Sequence, residues 1–440
     1  MSQNYLKIRV RRRCGFDQRE PGRQNSAEWI RTAYHDMSTA DVDAGTGGLD
    51  ASIMFETGRE ENKGDAINNM FSHLSAFYTV RSSAADLLAM AVVGSMAICG
   101  GYEVPLRVGR VDAIEAGPMG VPEPQQDLAT HTAKFAKQGF NQSEMIELVA
   151  CGHTLGGIHG ANFPEITYDN STGQVSTFEF NRSNVVFDNT VVKEYLASKT
   201  SNLLVDVMTR MIDTVPKDVV LSEPLKPIPI KPYVNVLALN SNGTIDFSGT
   251  VRVHSGKNTA YLNADDLSAY LTYKDRSGKN WTTTLDPEVG ISGFHIHLTT
   301  TSTNTTEVFD NAGNTYPVSD TVLYQMKQSC SAFTANGAVS DGQLTVTAAV
   351  RKDAVSDKKV NLHFAKKVPR QGVLLDRFET QIEPFVAIGK AVAGYELYKV
   401  DKMYIDGQSS TTSFDIVIGD KVEVEFERII ALSQQTCAEL

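Results

Sequence analysis

The chain has 440 residues, a formal net charge of −11, 41% hydrophobic residues and 21% charged residues. That usage is globular, excludes wholesale disorder, and leaves room for two or three domains with sizeable cores. The acidic balance argues against a non-specific nucleic-acid binder, and the longest apolar stretch, Leu87 to Cys99, is too short for a membrane span and reads as a buried helix.

The chain opens on MSQNYLKIRVRRRC, basic and without an apolar core, so no signal peptide is visible and residues 1–22 stand apart as an irregular segment. SAEWIRTAYHDM then predicts a helix with Ser26 as N-cap, followed by the glycine-rich GGLDAS loop. AADLLAMAVVGSMAICGG predicts a helix stopped by its glycine pair. NQSEMIELVACGHTLGG repeats the plan with Asn141 or Ser143 as cap, and LLVDVMTRMIDTV is a further amphipathic helix. This helical texture covers residues 23–222. EPLKPIPIKPY (223–233) carries prolines 224, 227, 229 and 232 and reads as a stiff extended linker. Beyond it the period becomes two: VNVLALN, TIDFSGTVRVH, FHIHLTT, GQLTVTAAVR and DKVEVEFERI predict short strands between NSNG, RSG and NAGN turns. One or two β-sandwich modules follow, 234–335 and 336–440, with NGAVSDGQ (336–343) as the boundary.

The five cysteines are odd in number and form no CxxC pattern. Cys99 and Cys151 read as buried free thiols, Cys330 and Cys437 as a pair across the β half, and Cys14 falls in the irregular segment. N-x-S/T sequons start at Asn141, Asn170, Asn181, Asn242, Asn280 and Asn304. They hint at secretion, against the missing signal.

Several groups of residues can carry chemistry. On a helix Arg31 and His35 share one face. Such a pair suits cleavage of a peroxide O–O bond, the imidazole moving the proton and the guanidinium meeting the negative charge; it equally suits a surface ion pair. Asp36, Gly48, Asp50 and Ser52 offer hard oxygen ligands for calcium, or a solvated turn. Glu56 and Asn62 form a third group. His153 ends an apolar helix as a packing residue or as an axial iron ligand. His295 and His297, on one strand face, suit copper or zinc, or a partly exposed face.

Taken in order, RTAYHD, GGLDASI, ICGGYEVPLRVGRVDA, GVPEP and GHTLGG resemble the plant, fungal and bacterial haem peroxidase superfamily over residues 23–220. The resemblance implies a mainly α haem-peroxidase domain followed by the β modules. The β half is similar to that of a secreted fungal subfamily that sometimes carries WSC modules, although no cysteine-rich WSC module is visible. It implies haem b and calcium as cofactors, and hydrogen peroxide with small phenolic or aromatic donors as partners. It makes His35 the distal acid–base catalyst, Arg31 its electrostatic partner, and Asn62 the acceptor of the His35 ring N–H, supported by Glu56. His153 would bind iron, with Tyr34 and Phe180 against the haem. Asp36, Gly48, Asp50 and Ser52 would hold a distal calcium. Thr154, Asn181, Ser183, Val186 and Asp188 match a weaker proximal cation site.

Three departures stand out. Tyr34 replaces the family's distal Trp or Phe, Phe180 stands where intracellular members often have Trp, and Asn181 stands where Asp is common. The segment with the family's proximal Asp is also missing between Asp188 and Glu223; Asp206 or Asp213 could substitute, although nothing in the spacing points to either. An altered gene structure would account for this and for the N-terminus. Two other functional readings stand beside a haem peroxidase: an impaired or haem-free relative, and a protein whose β half docks on cell-wall polysaccharide or on another protein.

Overall fold

The computed structural model describes residues 14, 23–160, 163–169, 174–175, 178–179, 201–254, 264–282, 287–336, 339–355, 358–432 and 436–438. The chain divides into two compact units, one helical (Met1–Leu225 with Pro369–Asp376) and one of strands (Lys226–Val368 with Arg377–Leu440).

The helical unit is built from α1 (Asn25–Met37), α2 (Ala66–Leu74), α3 (Ala84–Ile98), α4 (Leu128–Lys137), α5 (Gln142–Gly152), the single turn α6 (Pro164–Thr167) and α7 (Ser201–Asp213). Short ribbons pair β1 (Gly157–Ile158) with β4 (Phe178–Glu179), and β2 (Tyr168–Asp169) with β3 (Gln174–Val175). Caps set the helix starts. Gln24, not Ser26, caps α1, its side chain accepting the Ala27 N–H at 2.8 Å, so the helix starts before the expected position. Ser83 caps α3 through the Asp86 N–H. Asn141, not Ser143, caps α5 in a reciprocal box with Glu144. α3 ends at Cys99, before Gly100 at φ +81°, a backbone that glycine adopts freely. α3 is apolar nearly all round because it is central: Leu88, Ala89 and Val92 have no exposed surface, and Ala33 and Met37 of α1 join them in one core. α7 contributes Leu204, Val207, Met208, Met211 and Ile212 to that core. Among the described residues no helix is long and apolar enough to cross a membrane.

Cys99 is not a free thiol: at the end of α3 it bonds to Cys14. Spacing could not show this, because the two cysteines are separated by 85 residues and meet only in the fold. Cys330 bonds to Cys437, and Cys151 is free and buried.

The proline stretch is only partly a linker. The Ser222 N–H donates to the Val108 carbonyl and the Leu225 N–H to the Leu106 carbonyl, so the helical unit keeps the chain as far as Leu225. From Ile230 onward the stretch is already strand β5 (Ile230–Leu239), where Pro232 lies opposite Val251 of β6 (Ile245–Val253). A second sheet contains β7 (Leu267–Lys274), β8 (Asn280–Trp281), β9 (Gly293–Thr300), β10 (Thr305–Phe309) and β11 (Tyr316–Pro317). A third contains β12 (Val322–Tyr324), β13 (Cys330–Asn336), β14 (Val339–Arg351), β17 (Val386–Val392) and β18 (Tyr395–Asp406), and a fourth β15 (Val360–Val368), β16 (Arg377–Pro384), β19 (Ser413–Ile418) and β20 (Lys421–Arg428).

The expected boundary at 336–343 falls inside a hairpin, with Asn336 of β13 opposite Val339 of β14. The third sheet is buried on both faces. Val346, Ala348 and Val350 of β14 enter one apolar core with Phe364 and Phe414, while Ala349, Leu397 and Tyr395 enter another with Phe294 and Ile296. Two cores thus share one sheet, and a cut at 336 would split it. Turn-forming residues mark a hairpin as readily as a domain boundary.

Candidate active site

α1 places Arg31 and His35 one helical turn apart. His35 Nδ1 lies 2.8 Å from Asn62 Oδ1. Asn62 sits in the 3₁₀ turn Glu60–Asn62, and its Nδ2 donates to the Glu56 main-chain carbonyl at 3.2 Å and reaches the Glu56 carboxylate at 3.5 Å. With the Asn62 amide donating to Glu56, its carbonyl oxygen faces His35 and accepts the Nδ1–H. Nε2 is then the free, basic nitrogen. Glu56 is fixed in turn: the Gly117 N–H donates to Oε1 at 2.7 Å, and Arg59 lies 3.1 Å from Oε2. Glu56 and Asn62 are each 1% exposed, so the relay is rigid.

Electrostatics keep His35 neutral. Burial, then the neighbouring Arg31 charge, push its pKa down to about 3, against the opposing Asn62 bond. Arg31 donates through Nη2 to the Lys63 carbonyl at 2.9 Å, which holds its guanidinium beside the imidazole. Tyr34 stacks on Phe135 with ring centres 5.8 Å apart and meets His35 edge-on at 6.3 Å. Its hydroxyl reaches Gln138, and burial holds its pKa well above the usual phenol value.

The GGLDAS loop closes around Asp36, which is fully buried. Asp36 Oδ2 accepts the Asp50 and Ala51 N–H groups at 3.0 and 2.7 Å, and Oδ1 the Ile53 N–H at 2.9 Å, with the Ser52 hydroxyl at 3.5 Å. Asp50 accepts the Ser52 N–H and the Gly48 carbonyl accepts the Asp50 N–H. Gly48 must be glycine: its φ is +115°, and a Cβ there would meet the Thr214 carbonyl oxygen at 2.5 Å. The fold therefore brings Asp36, Gly48, Asp50 and Ser52 together. Burial, and then the nearby Asp50 charge, hold the Asp36 carboxyl well above the usual carboxylate range; burial also raises Asp50. Two unneutralised carboxylates beside a hydroxyl and loop carbonyls form a donor set that a hard divalent cation relieves. Among the described residues no three His, Cys, Asp or Glu side chains converge on a metal position, so neutral oxygens would complete the shell.

α5 ends at His153, whose N–H donates to the Val149 carbonyl at 3.0 Å. The ring is exposed, yet burial pushes its pKa below the ordinary histidine value. A neutral, reachable imidazole on α5, a neighbour of α1, is a suitable haem-iron ligand.

Buried Thr154 donates its hydroxyl to the Cys151 carbonyl at 2.7 Å. Phe180, Asn181, Ser183, Val186 and Asp188 lie outside the described residues. Asp213 pairs with Arg107 at 3.2 Å and with Arg110 at 3.2 Å, and Asp206 is exposed. His297 stacks on Tyr270 at 4.5 Å and bonds Thr272, which accounts for it as a packed strand residue rather than a copper or zinc ligand.

Sequence reasoning missed three supports of the site. Arg59 and the Gly117 N–H both hold Glu56, and Arg370 packs over Phe55 at 5.1 Å. Only Arg59 was within reach of inspection, three residues from Glu56.

A model of the Peroxidase family matches residues 14–238. A WSC domain-containing protein of Arthroderma benhamiae is 32% identical over 97% of this chain and 64% of its own length. The peroxisomal L-ascorbate peroxidase 5 of Arabidopsis thaliana is 31% identical over 40% of this chain and 59% of its own, and Peroxidase 36 of the same plant is 29% identical over 34% and 45%. The chain thus spans 45–64% of the length of these relatives. The family match takes in α1, the Asn62 turn, the Asp36 loop and the end of α5, the elements on which the candidate site is built, and covers just over half of the residues; the chain belongs to the peroxidase family.

Proposed function

We propose that the protein is a haem peroxidase that reduces hydrogen peroxide to water at the expense of small organic reductants. The observation that carries this reading is the His35–Asn62–Glu56 relay, with Nδ1 of His35 2.8 Å from the Asn62 oxygen. Haem b, when bound, supplies the redox centre that takes the two oxidising equivalents of the peroxide. His153 would hold its iron, and Tyr34 and Phe180 would lie against the ring.

Nε2 of His35 accepts the proton from the near oxygen of hydrogen peroxide. It then returns that proton to the far oxygen, so the O–O bond breaks with water leaving rather than hydroxide. Arg31 meets the negative charge that develops as the bond stretches. Asn62 keeps the proton on Nδ1 and thereby keeps Nε2 free. Two one-electron donors and two protons complete the reduction to a second water.

The donor in this reading is a small reductant, a phenol or another aromatic, or ascorbate as the name of a relative suggests. Asp36, Gly48, Asp50 and Ser52 hold calcium in this reading, with a weaker cation at Thr154, Asn181, Ser183, Val186 and Asp188. The Cys14–Cys99 and Cys330–Cys437 disulfides favour an oxidising, secretory compartment.

The test is reconstitution with haemin. A Soret band that His153→Ala abolishes, with peroxide-dependent oxidation of guaiacol or ascorbate that His35→Ala abolishes, is the expected result. A band indifferent to His153 overturns the reading. Calcium should raise the melting temperature of the wild type and not of Asp50→Ala.

A further inference from the structure

The helical unit includes an eight-residue piece from far along the chain, Pro369–Asp376, which lies between β15 and β16 in sequence and outside the span matched by the family. Leu375 is 4% exposed and belongs to the helical core, and Val373 and Leu374 pack against it. The piece is self-closed: Arg370 donates from Nε and Nη2 to the Leu375 carbonyl at 3.0 and 2.8 Å. Beyond that ring its contacts include two neighbouring residues, Met54 and Phe55. The guanidinium lies over the Phe55 ring at 5.1 Å and Nη2 is 3.4 Å from Met54 Sδ, while the Leu374 N–H donates to the Met54 carbonyl at 3.3 Å.

Met54 and Phe55 end the 3₁₀ turn Ser52–Phe55, and the next residue is Glu56. The Glu56 main-chain carbonyl accepts the Asn62 amide, and Asn62 in turn accepts from His35. Main-chain position at 54–56 therefore sets the Asn62 amide plane and, through it, the His35 tautomer. A cation–π contact, a sulfur contact and a main-chain hydrogen bond all hold that position from one side.

We infer that Arg370 is a positioning residue for the peroxide-cleaving histidine, acting through Met54–Phe55, Glu56 and Asn62. The inference rests on the peroxidase reading above for its catalytic meaning, but its geometric content can be tested without haem. Arg is suited to the task because its planar fork closes the loop on the Leu375 carbonyl while its face covers Phe55. Lys would keep the charge and lose the fork.

The experiment compares wild type, Arg370→Ala, Arg370→Lys and the control Arg377→Ala, an exposed site just past the segment. In the haem-free protein with ¹⁵N-labelled histidine, the His35 ring signals at fixed pH report its tautomer. In the haemin-loaded protein, stopped-flow absorbance gives the rate of the reaction with peroxide. In Arg370→Ala, the expected result is a His35 signal moved toward mixed tautomers and a peroxide step slowed about 10–100-fold, the range for removing an outer support of a ligand or catalyst. KM for the reductant and the Soret intensity should hold, Arg370→Lys should fall between, and Arg377→Ala should match wild type. Wild-type tautomer and rate in Arg370→Ala overturn the inference, as does a slowed rate that only follows loss of haem. If Arg370→Ala does not fold, Arg370→Lys decides: an intermediate tautomer supports the inference and a wild-type tautomer overturns it. A wild-type protein inert to peroxide, whose His35 tautomer still responds to Arg370, would fail the peroxidase reading and leave this one standing.

Discussion

His35 shows what burial does to one side chain. An imidazole in water titrates near pH 6.5; here enclosure and Arg31 push the value down to about 3. In the proposed reaction this leaves His35 unprotonated across the physiological range, and the peroxide step should show no acid limb near pH 6.5. For stability the sign follows from linkage. The folded value lies below the unfolded one, so the unfolded chain binds the proton more tightly. The stabilisation is complete above about pH 6.5 and is lost progressively as pH falls toward 3. Urea unfolding of wild type and His35→Gln at pH 7 and pH 4.5 reads this directly. Wild type should lose more stability between the two pH values than the variant, and equal losses would refute the assignment. Asp36 has the opposite sign: its carboxyl is raised, so without a cation its contribution weakens as pH climbs.

At the scale of elements, α5 matters because its end carries His153. Its start is held by the box in which Asn141 accepts the Glu144 N–H at 3.0 Å and Glu144 accepts the Asn141 N–H at 2.8 Å. Asn141→Ala should cost about 1 kcal/mol, the usual worth of such a cap, seen as an earlier urea midpoint with unchanged slope. No change in the midpoint would mean that packing of Met145, Leu148 and Cys151 alone holds the helix.

Helices of this kind are legible because period and stop signals are local: Asn141 and the Gly100–Gly101 pair act within one turn of themselves. The same locality explains the placement of Arg31 and His35 on one face. What stayed hidden depends on distance. Gln24 caps α1 although Ser26 has the better intrinsic preference, and its amide lies against Cys14 of the Cys14–Cys99 bond, a contact from ten residues away that no local signal announces. The hairpin at 336–343 has the composition of a linker, and only the strands on either side, Cys330–Asn336 and Val339–Arg351, distinguish the two. Arg370 carries no local signal at all, since its partners Met54 and Phe55 lie more than three hundred residues earlier.

At the scale of the molecule, the two tryptophans divide neatly. Trp29 packs in the helical unit and Trp281 in the strand unit, so intrinsic fluorescence can follow each one in single-Trp backgrounds. Beyond its disulfide, each unit has a fastening that a single substitution removes. In the strand unit, buried Asp320 accepts from Arg276 Nε at 3.0 Å, from Arg351 at 2.9 Å and from the Tyr395 hydroxyl at 3.0 Å. Arg276 follows the second sheet's β7, and Arg351 and Tyr395 belong to the third, so this carboxylate ties together two sheets that share a core. Asp320→Ala leaves two arginines without their common partner and should cost about 3–5 kcal/mol, read on Trp281. In the helical unit the fastening is apolar. Leu375→Ala empties a core position filled from the late segment and should cost about 2–5 kcal/mol, read on Trp29. Asp320→Ala acting only on Trp29, or Leu375→Ala only on Trp281, would contradict the division. Loss of stability on Trp29 in Leu375→Ala carries the larger consequence, because a family-matched span that ends at 238 then lacks a piece of the helical core, which only residues 369–376 supply.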